Sequence, residues 1–242
     1  MVDFLEYTSI LSYFNALFLK REDVISSFLE NRDFSLESLR DFSLGYCENV
    51  LIDDLSSFDK ESLDATKMFN NSLCIFEKRL TFPIKNSDGK IVSFCGRAVD
   101  INNFKYLNKP DSIYSLRDFN LYGIDLAIES ILLRGYVYIV EGLFDVIRMH
   151  SIGFDNTVGI FGTHISNEQL LYLRCLTDSL VILLDGDSAG LIGAQEINNK
   201  AISAGFKTCV ISLPDGHDPD SFICNYQKDV VFSTLSNVWK RF

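Results

Sequence analysis

The sequence predicts an α/β fold: a parallel sheet flanked by helices, preceded by a small mixed α+β subdomain of basic character. Three observations lead there. From Gly135 onward, short apolar runs alternate with helical patterns, which is the signature of βαβ units. Residues 78–117 switch to β-like runs and carry 8 basic against 3 acidic side chains, in a chain of net charge −11. Residues 1 to about 70 space their apolar side chains by three and four, as helices do. With no internal repeat or low-complexity linker to guide division, these changes of period set the expected boundaries. They give an N-terminal helical and β-rich subdomain over 1–134, a sheet domain over 135–226 and a helical tail over 227–242.

Composition narrows the function. The 242 residues are 47% hydrophobic, enough to bury a core. No apolar run approaches the ~20 residues of a membrane span, and "MVDFLEYTSI" has neither the basic start nor the apolar block of a secretory signal. A cytoplasmic protein with no membrane partner is expected. The six cysteines never fall at C-x-x-C spacing, and no histidine completes a zinc-ligand pattern. They are expected to be reduced, mostly buried thiols, with no zinc. The acidic balance argues against a polyanionic partner until its distribution is considered: residues 1–77 carry −9, residues 78–117 carry +5 and residues 118–242 carry −7. A basic island between acidic flanks is either a polyanion site or an ordinary solvated face, and charge counting does not separate the two.

Taken in chain order, "YFNALFLKREDVISSFLENRDFSLESLRDFSLGY" is predicted helical, with Ser35 and Ser38 where a cap would start a helix over 36–42. "RLTFPI" and "KIVSFCGRAV" are strands joined by "KNSDGK", whose Asp88-Gly89 signals a hairpin. Four further strands come next: "YVYIV" (136–140), "NTVGIF" (156–161), "SLVILL" (179–184) and "KTCVIS" (207–212). In such sheets, ligands bind beyond the carboxyl ends of the strands. Three of these strands run directly into acidic residues: Glu141 after the first, Asp185 and Asp187 after the third, and Asp215, Asp218 and Asp220 after the fourth. Carboxylates crowded on one rim repel each other unless cations neutralise them, and hard oxygen ligands select magnesium or manganese. Asp185 and Asp187 are therefore expected to hold a divalent ion that itself holds phosphate oxygens. Gly142, Gly186 and Gly190 are expected to let backbone approach a ligand, and Ser188 to cap the following helix.

These residues also carry a resemblance. "VEG", "LLDGDSAG" and "LPDGHDPDSF" together resemble the TOPRIM domain shared by bacterial primases, type IA and II topoisomerases and some nucleases. Upstream, "RLTFPIKNSDGKIVSFCGRAVD", "KYLNKPDS" and "NLYGIDLA" resemble, in that order, the RNA polymerase core of a bacterial, DnaG-type DNA primase. "FLENRDFSLESLRDFSLGY" resembles the helical segment with which that core begins. The resemblance covers about residues 10–225. It implies synthesis of short RNA from ribonucleoside triphosphates on a single-stranded DNA template. It implies Glu141, Asp185 and Asp187 as catalytic residues, with Asp218 and Asp220 completing the ligands of Mg2+ or Mn2+, and it leaves Glu141 as either ligand or general base. Arg79, Arg97, Lys105, Tyr106, Asn108 and Arg117 match positions that contact template, primer or triphosphate, and Thr163 in "GIFGTHIS" matches another motif near the metals. Two positions depart from the pattern: Cys95 stands where a glycine commonly precedes Gly96-Arg97, and Arg117 stands in place of a lysine. Either the chain is part of a longer primase, or a separate zinc-module protein or the replicative helicase is its partner. The tail "VVFSTLSNVWKRF", with the only tryptophan, Trp239, packs on the core or docks on another subunit. Two other functions compete: a TOPRIM nuclease or topoisomerase relative, and a non-catalytic primase-derived binding module.

Overall fold

Helix α1 (Phe4–Phe18) begins where the Asp3 carboxylate accepts a hydrogen bond from the Leu5 N–H. Its spacing places Tyr7, Ile10, Leu11, Phe14 and Phe18 on one fully buried stripe. The structure is a computed structural model that describes residues 3–30, 34–51, 55–99, 106–109 and 120–237. It divides the chain into two units, Met1–Arg117 and Asp118–Phe242.

In the first unit, α2 (Glu22–Glu30) and α3 (Leu36–Asp41) come after α1, and Ser35 caps α3 by accepting from the Ser38 N–H, as its position in the sequence predicts. Then come β1 (Gly45–Cys47), α4 (Lys60–Thr66) and a small hairpin of β2 (Phe69–Asn70) with β3 (Leu73–Cys74). Strands β4 (Arg79–Lys85), β5 (Ile91–Ala98) and β6 (Tyr106–Asn108) complete an antiparallel sheet in the order β1-β4-β5-β6. Asn86 Oδ1 accepts from the N–H groups of Asp88 and Lys90, and Gly89 takes φ +75°, so the turn of the β4–β5 hairpin is fixed locally. One face of this sheet packs on α1 through Phe94, Phe76 and Cys47. Strand β1 lies in the segment predicted helical. Three residues are too short a run to show a period.

The second unit is the parallel sheet. Helix α5 (Ile124–Arg134), which the sequence assigns to the N-terminal segment, packs here against the sheet through Ile124, Ala127 and Ile131. Strands β7 (Val137–Val140), β8 (Thr157–Gly159), β9 (Ser179–Ile182) and β10 (Lys207–Val210) alternate with α6 (Leu143–Ser151), α7 (Asn167–Arg174) and α8 (Ser188–Ser203), and α9 (Pro219–Asn225) and α10 (Lys228–Ser236) close the unit. All pairings are parallel, in the order β10-β9-β7-β8. Val137 and Ile139 of β7 join the core under α5, α7 and α8. Tyr138 points to the other face, where its hydroxyl donates to Leu235 O of α10 (2.7 Å) and its ring meets Phe154. The tail helix thus packs on its own unit, burying Val231 and Leu235. Trp239 lies outside the described residues.

Candidate active site at the carboxyl edge of the parallel sheet

The chain leaves β7 for β8 on one side, then crosses to β9 on the other, so the order reverses between β7 and β9. At such a reversal the connections diverge and leave a crevice beyond the strand ends. Glu141 comes directly after β7 and Asp185 just after β9, and the two meet there: Glu141 Oε1 accepts from the Asp185 N–H (3.1 Å). Asp187 is the N-cap of α8, its Oδ1 accepting from the Gly190 N–H (2.8 Å). Asp218 caps α9 in the same way through the Ser221 N–H (2.7 Å). Asp187, not Ser188, is therefore the cap of α8, because the residue before the first helical turn is the one whose side chain reaches the third N–H. Asp215 is exposed on the preceding turn.

The crowding has an electrostatic consequence. Burial, then the charges of Asp187 and Asp218, hold the Glu141 carboxyl above its ordinary range, against the opposing Asp185 N–H. Asp187 and Asp218 each spend one oxygen on a cap and keep a second. The donor set is all carboxylate and its members raise one another's energy, which suits a hard divalent cation. Among the described residues, no three His, Cys, Asp or Glu side chains are already closed around a common point.

Asp145, which no motif in the sequence singles out, is the buried member of this cluster. One oxygen accepts from the Gly142 N–H (2.9 Å), beside Glu141, and the other from the Asp220 N–H (3.1 Å). Asp220 Oδ1 meets Arg148 Nε at 2.7 Å, both side chains nearly inaccessible. The sequence groups Asp220 with the metal ligands; here its carboxylate faces the guanidinium of α6. The signal for Asp145 was available: it is an acid one helical turn beyond Glu141, on a helix otherwise apolar around it. Burial, then the charges of Asp218 and Asp185, push the Asp145 carboxyl up to about 8.

A folded-state pKa above the ordinary 3.8 means that folding favours the neutral acid. The stabilising contribution is complete below about pH 4 and is lost as pH rises through 8, at up to about 1.4 kcal/mol per pH unit. In metal-free buffer, urea denaturation between pH 5 and 8 is expected to show stability falling with pH. In Asp145→Asn the slope should be shallower, with Glu141 supplying the remainder.

The glycines around the rim are closely packed by the chain itself. A Cβ at Gly190 would overlap the Asp185 carbonyl oxygen, one at Gly186 the Pro214 carbonyl oxygen, and one at Gly142 the Asp145 carboxylate. Bare backbone at these points lets the start of α8 close on Asp185, the loop after β9 meet the loop before α9, and Asp145 fold back over the start of α6. Gly190→Ala is expected to cost about 1–3 kcal/mol, seen as a lower urea midpoint, because the obstructing atom is backbone. Thr163 lies against the same helix: a Cβ at Gly193 would approach Thr163 Cβ to 2.7 Å. Gly193 is about 9 Å along α8 from Asp187, and Thr163 Oγ1 shares a hydrogen bond with His164 Nδ1 (3.0 Å).

In the first unit, the register divides the basic residues. Arg97 of β5 lies opposite Tyr106 of β6, and Nη1 donates to its hydroxyl at 2.6 Å while the guanidinium sits over the ring. Asn108 lies opposite Cys95 on the same face. Arg79 lies opposite Ala98 and so points to the other face, where its stem runs beside Gly96. One sheet face does not display all four. Lys109 serves the core: it is buried, donates to Thr66 O (3.0 Å) and lies over the Tyr7 ring. Lys105 and Arg117 lie outside the described residues.

Comparison with known proteins agrees with both units. The family "DNA primase catalytic core, N-terminal domain" matches residues 12–128, and "Toprim-like" matches residues 138–223. The chain belongs to the DNA primase catalytic-core family. A DNA primase of Staphylococcus aureus is 34% identical over 167 residues, covering 69% of this chain and 28% of that protein. A DNA primase of Aquifex aeolicus is 32% identical over 231 residues, covering 91% and 46%. The chain therefore spans less than half the length of either of these primases. The crystal structure of the Aquifex aeolicus primase zinc-binding and RNA polymerase domains superposes with a TM-score of 0.87 at 29% identity, over 96% of this chain and 60% of that one. The primase fold accounts for the sequence order: basic antiparallel sheet first, acidic parallel sheet second. No helix among the described residues is long and apolar enough to cross a membrane.

Proposed function

We propose that this chain joins ribonucleotides into short RNA primers on a single-stranded DNA template. The observation that carries this reading is the carboxylate rim at the β7/β9 reversal, in a chain whose other unit matches the N-terminal domain of a primase core. Glu141, Asp185, Asp187 and Asp218 are the residues suited to hold Mg2+ or Mn2+. When bound, such ions neutralise the triphosphate and the charge that develops on the attacking and leaving oxygens. Glu141, held above the ordinary carboxyl range, is the rim group best matched to accept the proton of the attacking 3′-hydroxyl. Asp145 and the Arg148–Asp220 pair tie the rim segments together from below. Arg97 on Tyr106, with Asn108, Lys105 and Arg117, supplies contacts to backbone phosphates and bases, while Arg79 lies on the other sheet face, and Thr163 supplies a hydroxyl beside α8.

The test is incubation of the chain with single-stranded DNA, labelled ribonucleotides and magnesium or manganese. Short RNA is the expected product. Nicked DNA would instead assign a nuclease or topoisomerase relative, and binding without either product would assign a non-catalytic module.

A further inference from the structure

The α7–α8 side of the second unit carries a groove away from the carboxylate rim. It runs between these helices, with a volume of about 430 Å³. Leu170 and Leu171 of α7, Ala204 and Phe206 form its apolar lining, and Arg174 and Lys200 supply two cations. Both cations are held in place. The Arg174 guanidinium lies over the Phe206 ring at 5.4 Å, and Lys200 Nζ donates to Ile165 O at 2.6 Å. A cation–π contact consumes no N–H donor. No carboxylate lines the groove among the described residues, and Asp178, whose carboxyl also feels Arg174, pairs with Lys207.

Two explanations internal to the fold fall short. Cations near helix C-termini complement the helix dipole, which accounts for Arg174 and Lys200 but not for the apolar surface beside them. Leu171, in that lining, is 69% exposed. The groove is also remote from the rim: Lys200 stands about 20 Å along α8 from the Asp187 cap. A nucleic-acid strand needs a row of cations and stacking faces, whereas this site has two cations set in an apolar lining. It is an uncommon patch of positive charge in a segment that carries −7 over residues 118–242.

We propose that this groove docks a short acidic segment of a partner protein. Its large apolar side chains enter between Leu170, Leu171 and Phe206, and its carboxylates meet Arg174 and Lys200. With residues 118–242 carrying −7 overall, the two cations set the address for an acidic segment and the apolar lining supplies most of the affinity.

The test is selection from a phage-displayed random dodecapeptide library on the whole chain, then fluorescence polarisation with the selected peptides. Expected sequences combine Asp or Glu with Leu, Ile, Phe or Trp, and their binding weakens with salt. Leu171→Asp, Ser203→Glu and Arg174→Glu should each weaken binding by about tenfold or more, while primer synthesis and thermal unfolding of Leu171→Asp and Ser203→Glu stay near those of the parent. Asp185→Asn should leave peptide binding unchanged. Failure to select any peptide, selected peptides without acidic residues, or binding insensitive to all three groove substitutions would overturn the proposal. If primer synthesis is absent from the parent chain, peptide binding still reports on the groove.

Discussion

Asparagine at both Asp185 and Asp187 is expected to lower primer synthesis by about 10² or more while the chain remains folded. The argument rests on what each carboxylate does besides meeting cations. Asp187 caps α8 by accepting from the Gly190 N–H, and asparagine caps a helix about as well as aspartate does. The contact of Asp185 with Glu141 runs through its backbone N–H, which the substitution keeps. Removing the Asp187 charge also removes one cause of the raised Glu141 carboxyl, so metal-free thermal stability should hold or rise. Calorimetric titration with magnesium or manganese should show the loss of affinity directly. Full synthesis by the double variant would remove the rim from the mechanism.

Arg148→Met is expected to destabilise the second unit by about 3–5 kcal/mol, the cost of leaving a buried charge without the ion that balances it. The Arg148 and Asp220 side chains are 7% and 11% exposed and meet at 2.7 Å, and Asp145, already raised by burial and by neighbouring acids, accepts from the Asp220 backbone beside them. Methionine fills the volume of the arginine stem but offers Asp220 no proton. Urea denaturation at pH 7 measures the loss. Adding Asp220→Asn should recover much of it, since the charge that needed balancing is then gone. A single variant as stable as the parent would show that water or movement of α9 compensates.

The parallel sheet was legible because its central strands, β7 and β9, are short runs buried on both faces, and the acids that follow the strands mark the edge without any knowledge of the order. The positions of Glu141, Asp185 and Asp187 derive from that alone, whereas Asp218 stands there beside Asp215 and Asp220 and is singled out by the resemblance. Other features depend on pairings that no local pattern encodes. Strand β1 is three residues supported by β4, and its sequence reveals nothing of that neighbour. Arg79 and Arg97 fall on opposite faces because of the β4–β5 register, which charge counting along the chain cannot supply. The rim glycines look the same in sequence whatever they face, and only the folded chain sets Gly190 against the Asp185 carbonyl oxygen and Gly186 against that of Pro214. Asp145 was hidden differently: in a stretch already notable for Glu141, one of its two backbone partners, the Asp220 N–H, belongs to α9, some seventy residues later, and only the other, the Gly142 N–H, is local.

The double duty of Asp187 and Asp218 shapes what mutation can do to this chain. Each is both a rim carboxylate and the cap of the helix that begins after it. Alanine there would cost a cap, typically about 1 kcal/mol, besides the ion. Asparagine keeps the cap and surrenders only the charge, and it is one nucleotide away from aspartate in the genetic code. Descendants that abandon catalysis while keeping the fold should therefore drift first to asparagine or serine at these two positions. Among homologues, Asn at 187 and 218 beside an intact Arg148–Asp220 pair would mark a scaffold retired from chemistry but still under selection to stay folded.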